Sequence, residues 1–257
     1  MSPNAYYNYL KDRKKEYRKR VSRIQKRIVA IYHQEDGVPR YRQMKQYLAR
    51  EGVYISELTC HYYMHALSLK SIVRSHKPAY VKGITHTIFP NILNQQFTAE
   101  KPNTVWATDF TYLPLANGTM QYNCTIIDLY DRSAVATLNS ATMTAELAIQ
   151  TLRIALKRHK TGKGLILHSD QGTQFTSKKF TEFCKKNHIQ QSMSRAGCSY
   201  DNAPMERFYN TLKNEYFYLR NFRDVESLNA GIYQFIYGKC QHSYNGGLTP
   251  YAARMAA

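Results

Sequence analysis

Apolar residues in the first part of the chain recur at three- to four-residue spacing, the period of a helix buried on one face. This pattern predicts one helix over 10–33 and a second over 40–50, separated by Gly37 and Pro39. Ser56 can cap a third helix over 56–69, because its hydroxyl can accept a bond from the first turn. The apolar positions of the first two helices are Tyr17, Val21, Ile24, Ile28 and Ile31, then Tyr41, Met44, Tyr47 and Leu48.

The second and third predicted helices are separated by Gly52, which gives the order helix, glycine-containing turn, helix. A helix-turn-helix DNA-binding motif has this order, and its second helix enters the major groove. An ordinary helical hairpin has the same order, so the pattern alone leaves both interpretations open. Candidate DNA contacts are Arg40, Arg42, Thr59, His61 and Tyr62.

Alternating apolar and polar residues replace the helical period after residue 103, which predicts β-strands. Proline and glycine interrupt the segment before it, so we expect a linker over 76–103 between an all-α region, 1–75, and a second domain, 104–257. Asn117-Gly118 predicts a hairpin turn between the first two strands. The predicted strands are 105–115, 119–130, 133–140, 165–170 and 189–194, and the predicted helices are 145–160, 177–187 and 202–218. This order predicts an α/β fold with a mixed sheet flanked by helices, which is also the ribonuclease H-like order.

The composition is strongly basic, with 36 Lys and Arg against 18 Asp and Glu, a formal charge of +18. Such an excess favours a polyanionic partner, most simply nucleic acid, although anionic lipid or a solvated surface would also account for it. No run of 18 apolar residues occurs, so no membrane span is expected. The first residues show no secretory leader, and five scattered cysteines contain no CxxC pair. Free thiols in a reducing cytosol are therefore expected, and a zinc ribbon or disulfide framework is not.

Three acidic residues occupy unusual positions in the predicted second domain. Asp109 lies within an apolar strand, Asp170 follows the end of another, and Glu206 lies early on a helix. A carboxylate within an apolar strand needs a partner, because burying an unpaired charge is costly. A local salt bridge would satisfy any one of them, whereas carboxylates from three separate elements suit Mg²⁺ or Mn²⁺.

The blocks around these acids resemble the DDE catalytic core of retroviral integrases and bacterial transposases. They are Trp106-Ala-Thr-Asp109-Phe-Thr111, His168-Ser-Asp170-Gln-Gly172, and Tyr200-Asp-Asn-Ala203 through Glu206, with 35 residues between Asp170 and Glu206. The finer resemblance is to transposases of the third insertion-sequence family, in their downstream-frame (OrfB) protein. It covers nearly the whole chain, including Tyr6-Tyr7 and the tail from His242 to Pro250.

This resemblance implies a ribonuclease H-like fold in which Asp109, Asp170 and Glu206 bind two divalent ions, Mg²⁺ or Mn²⁺. The implied reaction is nicking at the element's terminal inverted repeats, followed by attack of the freed 3′-hydroxyl on target DNA. A homo-oligomer of at least two subunits is expected, because two DNA ends must be held together. An upstream-frame (OrfA) partner or fusion is also expected, and the location would be cytoplasmic and nucleoid-associated in a bacterium.

Helical spacing places further candidates near the acids. Asn210 and Lys213 follow Glu206 by four and seven positions, so they share its face and are candidate DNA contacts. Arg207 and Gln174 are candidates because they flank the acids, and Arg195 is a further possible phosphate contact. Asn202 is expected to cap the helix that carries Glu206.

Two other functions fit parts of this pattern. A DNA-binding regulator with an idle core would not need three acids that repel DNA. A ribonuclease H-type nuclease would not need the basic N-terminal region. Cleavage of terminal-repeat DNA, compared with random duplex and RNA–DNA hybrid, distinguishes the three.

Overall fold

The computed structural model describes residues 13–72, 88–240 and 242–256 of the chain. The chain forms two compact units, Met1–Ser75 and His76–Ala257. The start of the predicted first helix, 10–12, Tyr6-Tyr7 and the first part of the predicted linker, 76–87, lie outside the described residues. Within the described ranges, no helix combines the length and apolarity required to cross a bilayer.

The first unit contains three helices: α1 (Arg13–Gln34), α2 (Tyr41–Arg50) and α3 (Glu57–Ala66). Their shared core contains Ile28, Met44 and Leu48, all fully buried and all on the predicted apolar faces. Ser56 caps α3 as predicted, since its hydroxyl accepts a bond from the Thr59 N–H at 3.1 Å. The helix ends before the predicted Leu69, because Ser68 adopts a positive φ of 56°.

The second unit contains a five-stranded mixed sheet, which confirms the predicted fold class. Its strands are β1 (Val105–Pro114), β2 (Met120–Asp128), β3 (Ala134–Ser140), β4 (Ile166–Ser169) and β5 (Gln190–Met193). Their order is β3-β2-β1-β4-β5. The β1–β2 and β2–β3 pairs are antiparallel, whereas β4 runs parallel to both β1 and β5. β1 is therefore the central strand, and its neighbour β4 ends just before Asp170.

Helices cover the sheet in two apolar clusters. Successive residues of β1 alternate between the clusters, as Trp106 joins one and Ala107 the other. The Trp106 cluster includes α4 (Ala145–Arg158), the short helix α5 (Thr173–Thr176) and α6 (Lys178–Lys186). The Ala107 cluster includes α7 (Ala203–Glu215) and α8 (Val225–Gln234), which continues into a π-helix over Phe235–Lys239. A last helix, α9 (Pro250–Ala256), follows. The sequence pattern missed α5, α8 and α9.

The described part of the predicted linker, 88–103, belongs to the second unit. Leu93 is buried in its core, and Phe89 and Phe97 pack against that core. The main chain of this segment also bonds β5, because the Ile92 N–H donates to the Ser192 hydroxyl at 2.9 Å. The linker prediction is therefore corrected over 88–103: its apolar residues pack on the sheet although they follow no regular period.

Candidate active site

The central strand β1 carries Asp109 into a partly buried position. The Asp109 carboxylate accepts a bond from the Phe110 main-chain N–H at 2.7 Å. Across the antiparallel ladder, Asp109 faces Thr125 of β2. The first acid therefore lies on the central strand of the sheet, which is paired on both sides.

Asp170 lies directly after β4, the parallel neighbour of β1, where the chain turns into α5. The Gly172 N–H donates to Asp170 Oδ1 at 2.9 Å, which closes this turn. A Cβ atom at residue 172 would lie 2.9 Å from Asp170 Oδ1 and 3.0 Å from Gln174 Oε1. A side chain at this position would displace the Asp170 or Gln174 oxygen, so glycine lets both lie beside the turn.

Glu206 lies in the first turn of α7 and is exposed. Its neighbours Met205 and Tyr209 face inward, into the core beneath the sheet. The helix therefore presents Glu206 outward while its buried face packs on β1.

The charges of Asp170 and Glu206 both act on the pKa of Asp109. Burial raises this pKa well above its ordinary value, and the charge of Asp170 raises it further. The Phe110 N–H bond opposes the shift, Glu206 adds to it, and Lys213 lowers the pKa. Lys213 is itself half-buried, and burial lowers its own pKa against the attraction of Asp109. The fold thus brings Asp170, Glu206 and Lys213 within electrostatic range of Asp109.

The chemistry of this donor set suits a hard divalent cation. Three carboxylates from three elements offer oxygen ligands, and their mutual repulsion at Asp109 is what a cation would relieve. Among the described residues, no three His, Cys, Asp or Glu side chains are already gathered into a metal-binding cluster. The acids are therefore close enough to act on one another but are not drawn together around a common point.

A polar hub around the buried Asp201 lies just before α7, the helix that carries Glu206. The buried Asp201 carboxylate accepts bonds from Arg195 Nε at 2.9 Å and Gln95 Nε2 at 2.8 Å. These bonds, that of Arg195 first, lower the pKa of Asp201. His168 is buried and bonds the Asp201 carbonyl and Ser192, so it is a packed residue of the hub. Sequence reasoning missed this hub and assigned Arg195 to phosphate.

The remaining candidates on α7 differ in their surroundings. Asn210 is exposed and accepts a bond from Asn214 Nδ2 at 2.7 Å. Arg207 is exposed, and its charge acts on His242, whose pKa falls to about 4 through burial, Arg132 and Arg207. The predicted cap by Asn202 is wrong: its side chain makes no capping bond, and Nδ2 instead donates to the Thr108 carbonyl at 3.4 Å.

The candidate DNA contacts of the first unit all reach its surface at least in part. Arg40 is exposed, and Arg42 forms a 3.4 Å ion pair with Glu57. The Thr59 hydroxyl bonds the Ser56 hydroxyl at 2.8 Å. His61 packs edge-on against Tyr41, and Tyr62 is 61% exposed.

Comparisons with known proteins agree with this architecture. Residues 99–199 match the family described as Integrase core domain. The chain is 33% identical over 213 residues to InsK of insertion sequence element IS150 in Escherichia coli K12, covering 83% of this chain and 75% of the relative. It is 38% identical over 164 residues to the InsF transposase of insertion sequence IS3A in the same strain, covering 62% of this chain and 57% of the relative.

A solved structure shows the same fold at low sequence identity. It is the simian T-cell lymphotropic virus intasome in complex with the PP2A regulatory subunit B56 gamma. The TM-score is 0.51 at 18% identity, over 81% of this chain and 69% of that chain.

Proposed function

Because this chain belongs to the IS3 family of insertion-sequence transposases, which have an integrase core, we propose that Asp109, Asp170 and Glu206 are its catalytic acids. We propose that it nicks DNA at the element's terminal inverted repeats and joins the freed 3′-hydroxyl to another DNA strand. The observation that carries this proposal is the placement of the acids: Asp109 lies on β1, Asp170 directly follows its parallel neighbour β4, and Glu206 lies on α7, which packs on β1.

The three carboxylates would hold two divalent ions, Mg²⁺ or Mn²⁺. The chemistry that such ions supply when bound is a lower pKa for the attacking hydroxyl and stabilisation of the leaving oxygen in an in-line phosphoryl transfer. No nucleophile from the protein is needed, because the attacking groups are water and then a DNA 3′-hydroxyl.

The protein's own contribution is to position the acids and the DNA strand. Asp109 lies on β1, and Asp170 directly follows β4. Because the two strands are parallel neighbours, their pairing fixes the relative position of the two acids. The ammonium group of Lys213 interacts electrostatically with Asp109, so we propose that it binds a DNA phosphate beside the acids. Gln174, beside the Asp170 turn, and the exposed Asn210 and Arg207 are proposed as further contacts to the strand.

The first unit is proposed to bind the terminal repeats. Helix α1 has 22 residues, which gives a length of about 33 Å, close to one turn of duplex DNA. Residues 14–20 of α1 are exposed on all sides and include five cations, so they suit phosphate contacts. Arg40, Arg42, Thr59, His61 and Tyr62 would then contact the groove or its edges.

The assembly is proposed from the reaction. Since two terminal repeats must be held together, we propose a homo-oligomer of at least two subunits on DNA, which engages target DNA as well. An OrfA partner or fusion, and a cytoplasmic, nucleoid-associated location, belong to the same proposal.

The test is divalent-metal-dependent cleavage by the full chain. Terminal-repeat duplex should be nicked in Mg²⁺, whereas random duplex and an RNA–DNA hybrid should not. Asp170→Asn should abolish nicking and preserve DNA binding, because it removes a ligand charge and keeps the shape. Glu182→Gln, an exposed carboxylate of α6, is the matched control and should remain active. Nicking that survives Asp170→Asn would refute the assignment, and preference for the hybrid would indicate a ribonuclease H-type nuclease. Binding without cleavage by the unaltered chain would indicate a regulator.

A further inference from the structure

The hydroxyl of Tyr209 bonds the main chain of two strands at the position of Asp109. It donates to the Asp109 carbonyl at 2.7 Å and accepts from the Thr125 N–H at 2.9 Å. Asp109 and Thr125 face each other across the β1–β2 ladder. One side chain of α7 therefore contacts the sheet at the residue pair that carries the first acid.

A second contact lies on the other side of Glu206. Asn202, just before α7, is 5% exposed, and its Nδ2 donates to the Thr108 carbonyl. Asn202 precedes Glu206 by four residues and Tyr209 follows it by three. The two side chains therefore bond consecutive carbonyls of β1, those of Thr108 and Asp109, from both sides of Glu206.

These contacts are placed to control the distance between two acids of the site. Glu206 is exposed, and its neighbours Asn202 and Tyr209 bond this part of the chain to β1. Tyr209 is only 5% exposed, so its hydroxyl bonds these main-chain groups rather than solvent. A helix held only by apolar packing could shift along its axis, whereas the directional 2.7 Å bond of Tyr209, with the longer 3.4 Å contact of Asn202, opposes such a shift.

We propose that Tyr209 and Asn202 are positioning residues, which hold Glu206 at a fixed place relative to Asp109 so that both can bind the same divalent ions. This inference depends on the proposed catalytic acids and adds two residues that contact neither DNA nor metal. Partners that orient metal ligands commonly change metal affinity by about 10-fold or more when they are removed.

The test measures metal binding directly, without turnover. Mn²⁺ binding to the full chain is followed by electron paramagnetic resonance for the unaltered protein and for Tyr209→Phe. We expect the Mn²⁺ dissociation constant of Tyr209→Phe to rise by about 10-fold. Tyr216→Phe is the matched control, because Tyr216 is a buried tyrosine of the same core whose hydroxyl donates to Gln234 Oε1 at 2.8 Å, away from β1. It should lose thermal stability to a similar degree and keep the original Mn²⁺ affinity.

Each outcome has one meaning. Equal Mn²⁺ affinities for Tyr209→Phe, Tyr216→Phe and the unaltered chain would overturn the positioning role, and so would equal losses in both variants. If Tyr209→Phe does not fold, Asn202→Ala replaces it, with Asn187→Ala as the control, since the Asn187 side chain bonds only its own helix at Phe183. A separate result would contradict the proposed function: Asp109→Asn would bind Mn²⁺ with the same affinity as the unaltered chain.

Discussion

His168 of β4 bonds the main-chain carbonyl of Asp201 through Nε2 at 2.8 Å, and so joins the strand before Asp170 to the segment before Glu206. The other ring nitrogen, Nδ1, lies 2.9 Å from the Ser192 hydroxyl on β5. The carbonyl can only accept, so Nε2 carries the proton, and the neutral ring accepts from Ser192. One buried imidazole thus joins the chain segments that precede two of the three acids.

The first prediction concerns the pH dependence of stability through His168. Burial lowers its pKa, while the Asp201 carbonyl opposes the shift, so the folded protein binds this proton less readily than the unfolded chain. Neutral His168 therefore contributes its full share to the free energy of unfolding above about pH 6.5, and this contribution is lost as the pH falls below that value. The melting temperature of His168→Gln, measured by circular dichroism, should fall less between pH 7 and pH 5 than that of the unaltered protein. Parallel pH profiles for the two proteins would contradict the prediction.

The second prediction is that Asp109→Asn stabilises the metal-free protein. The raised pKa of Asp109 means that its ionised form is held at a cost, through burial and the charge of Asp170. A neutral side chain of the same size removes that cost, so the melting temperature at pH 7.5 without metal should rise by a few degrees. Added Mg²⁺ should raise the melting temperature of the unaltered chain and not that of the variant. A lower melting temperature for metal-free Asp109→Asn would show that the charge is not held at a cost.

The third prediction concerns Lys213. Its half-buried ammonium is coupled to Asp109, which suits it to a phosphate at the acids rather than to solvent. Lys213→Gln should lower the nicking rate on the order of 10²-fold, and Lys213→Arg should recover part of it. Lys186→Gln, at an exposed position of α6, should be close to unaltered. If the Lys213 and Lys186 variants nicked equally fast, Lys213 would have no role at the acids.

The fourth prediction concerns the salt dependence of DNA binding by α1. Replacing the exposed Lys14, Arg18 and Lys19 by Gln should reduce the slope of log K against log salt by up to about 2.7, because each lost phosphate contact contributes about 0.9. The control replaces Lys178, Lys179 and Lys186, also exposed, by Gln. Fluorescence anisotropy over a salt series gives both slopes. Equal slopes for the two triple variants would exclude a specific phosphate role for α1.

The fifth prediction is that Thr59 and Tyr62 of α3 contact DNA bases. Both lie on the surface of the helix that the pattern assigns to the major groove. Thr59→Ala and Tyr62→Ala should reduce the preference for terminal-repeat over random duplex and leave the salt slope unchanged, since base contacts carry sequence information and phosphate contacts carry charge. A uniform loss of affinity for both duplexes would make them backbone contacts.

The sequence by itself predicted the five strands, most of the helices and the three candidate acids. Period-two alternation in β1 and three- to four-residue spacing in α1 and α2 are local properties, and a side chain's direction follows from them directly. The blocks around Asp109, Asp170 and Glu206 are likewise readable from the sequence, because each is a short run of residue types. The apolar residues of 88–103 and the later helices α8 and α9 were not recognised, since the partners that give them structure are distant along the chain.

Only the tertiary structure decided how the acids are held. Tyr209 reads in sequence as one more apolar position of an amphipathic helix, and nothing local shows that its hydroxyl bonds the carbonyl of Asp109, 100 residues earlier. Asn202 fits a helix cap by its type and position, yet it donates to Thr108 on β1. Hydrogen bonds between distant segments depend on which atoms the fold leaves without partners, and that is settled only when the strands and helices pack together.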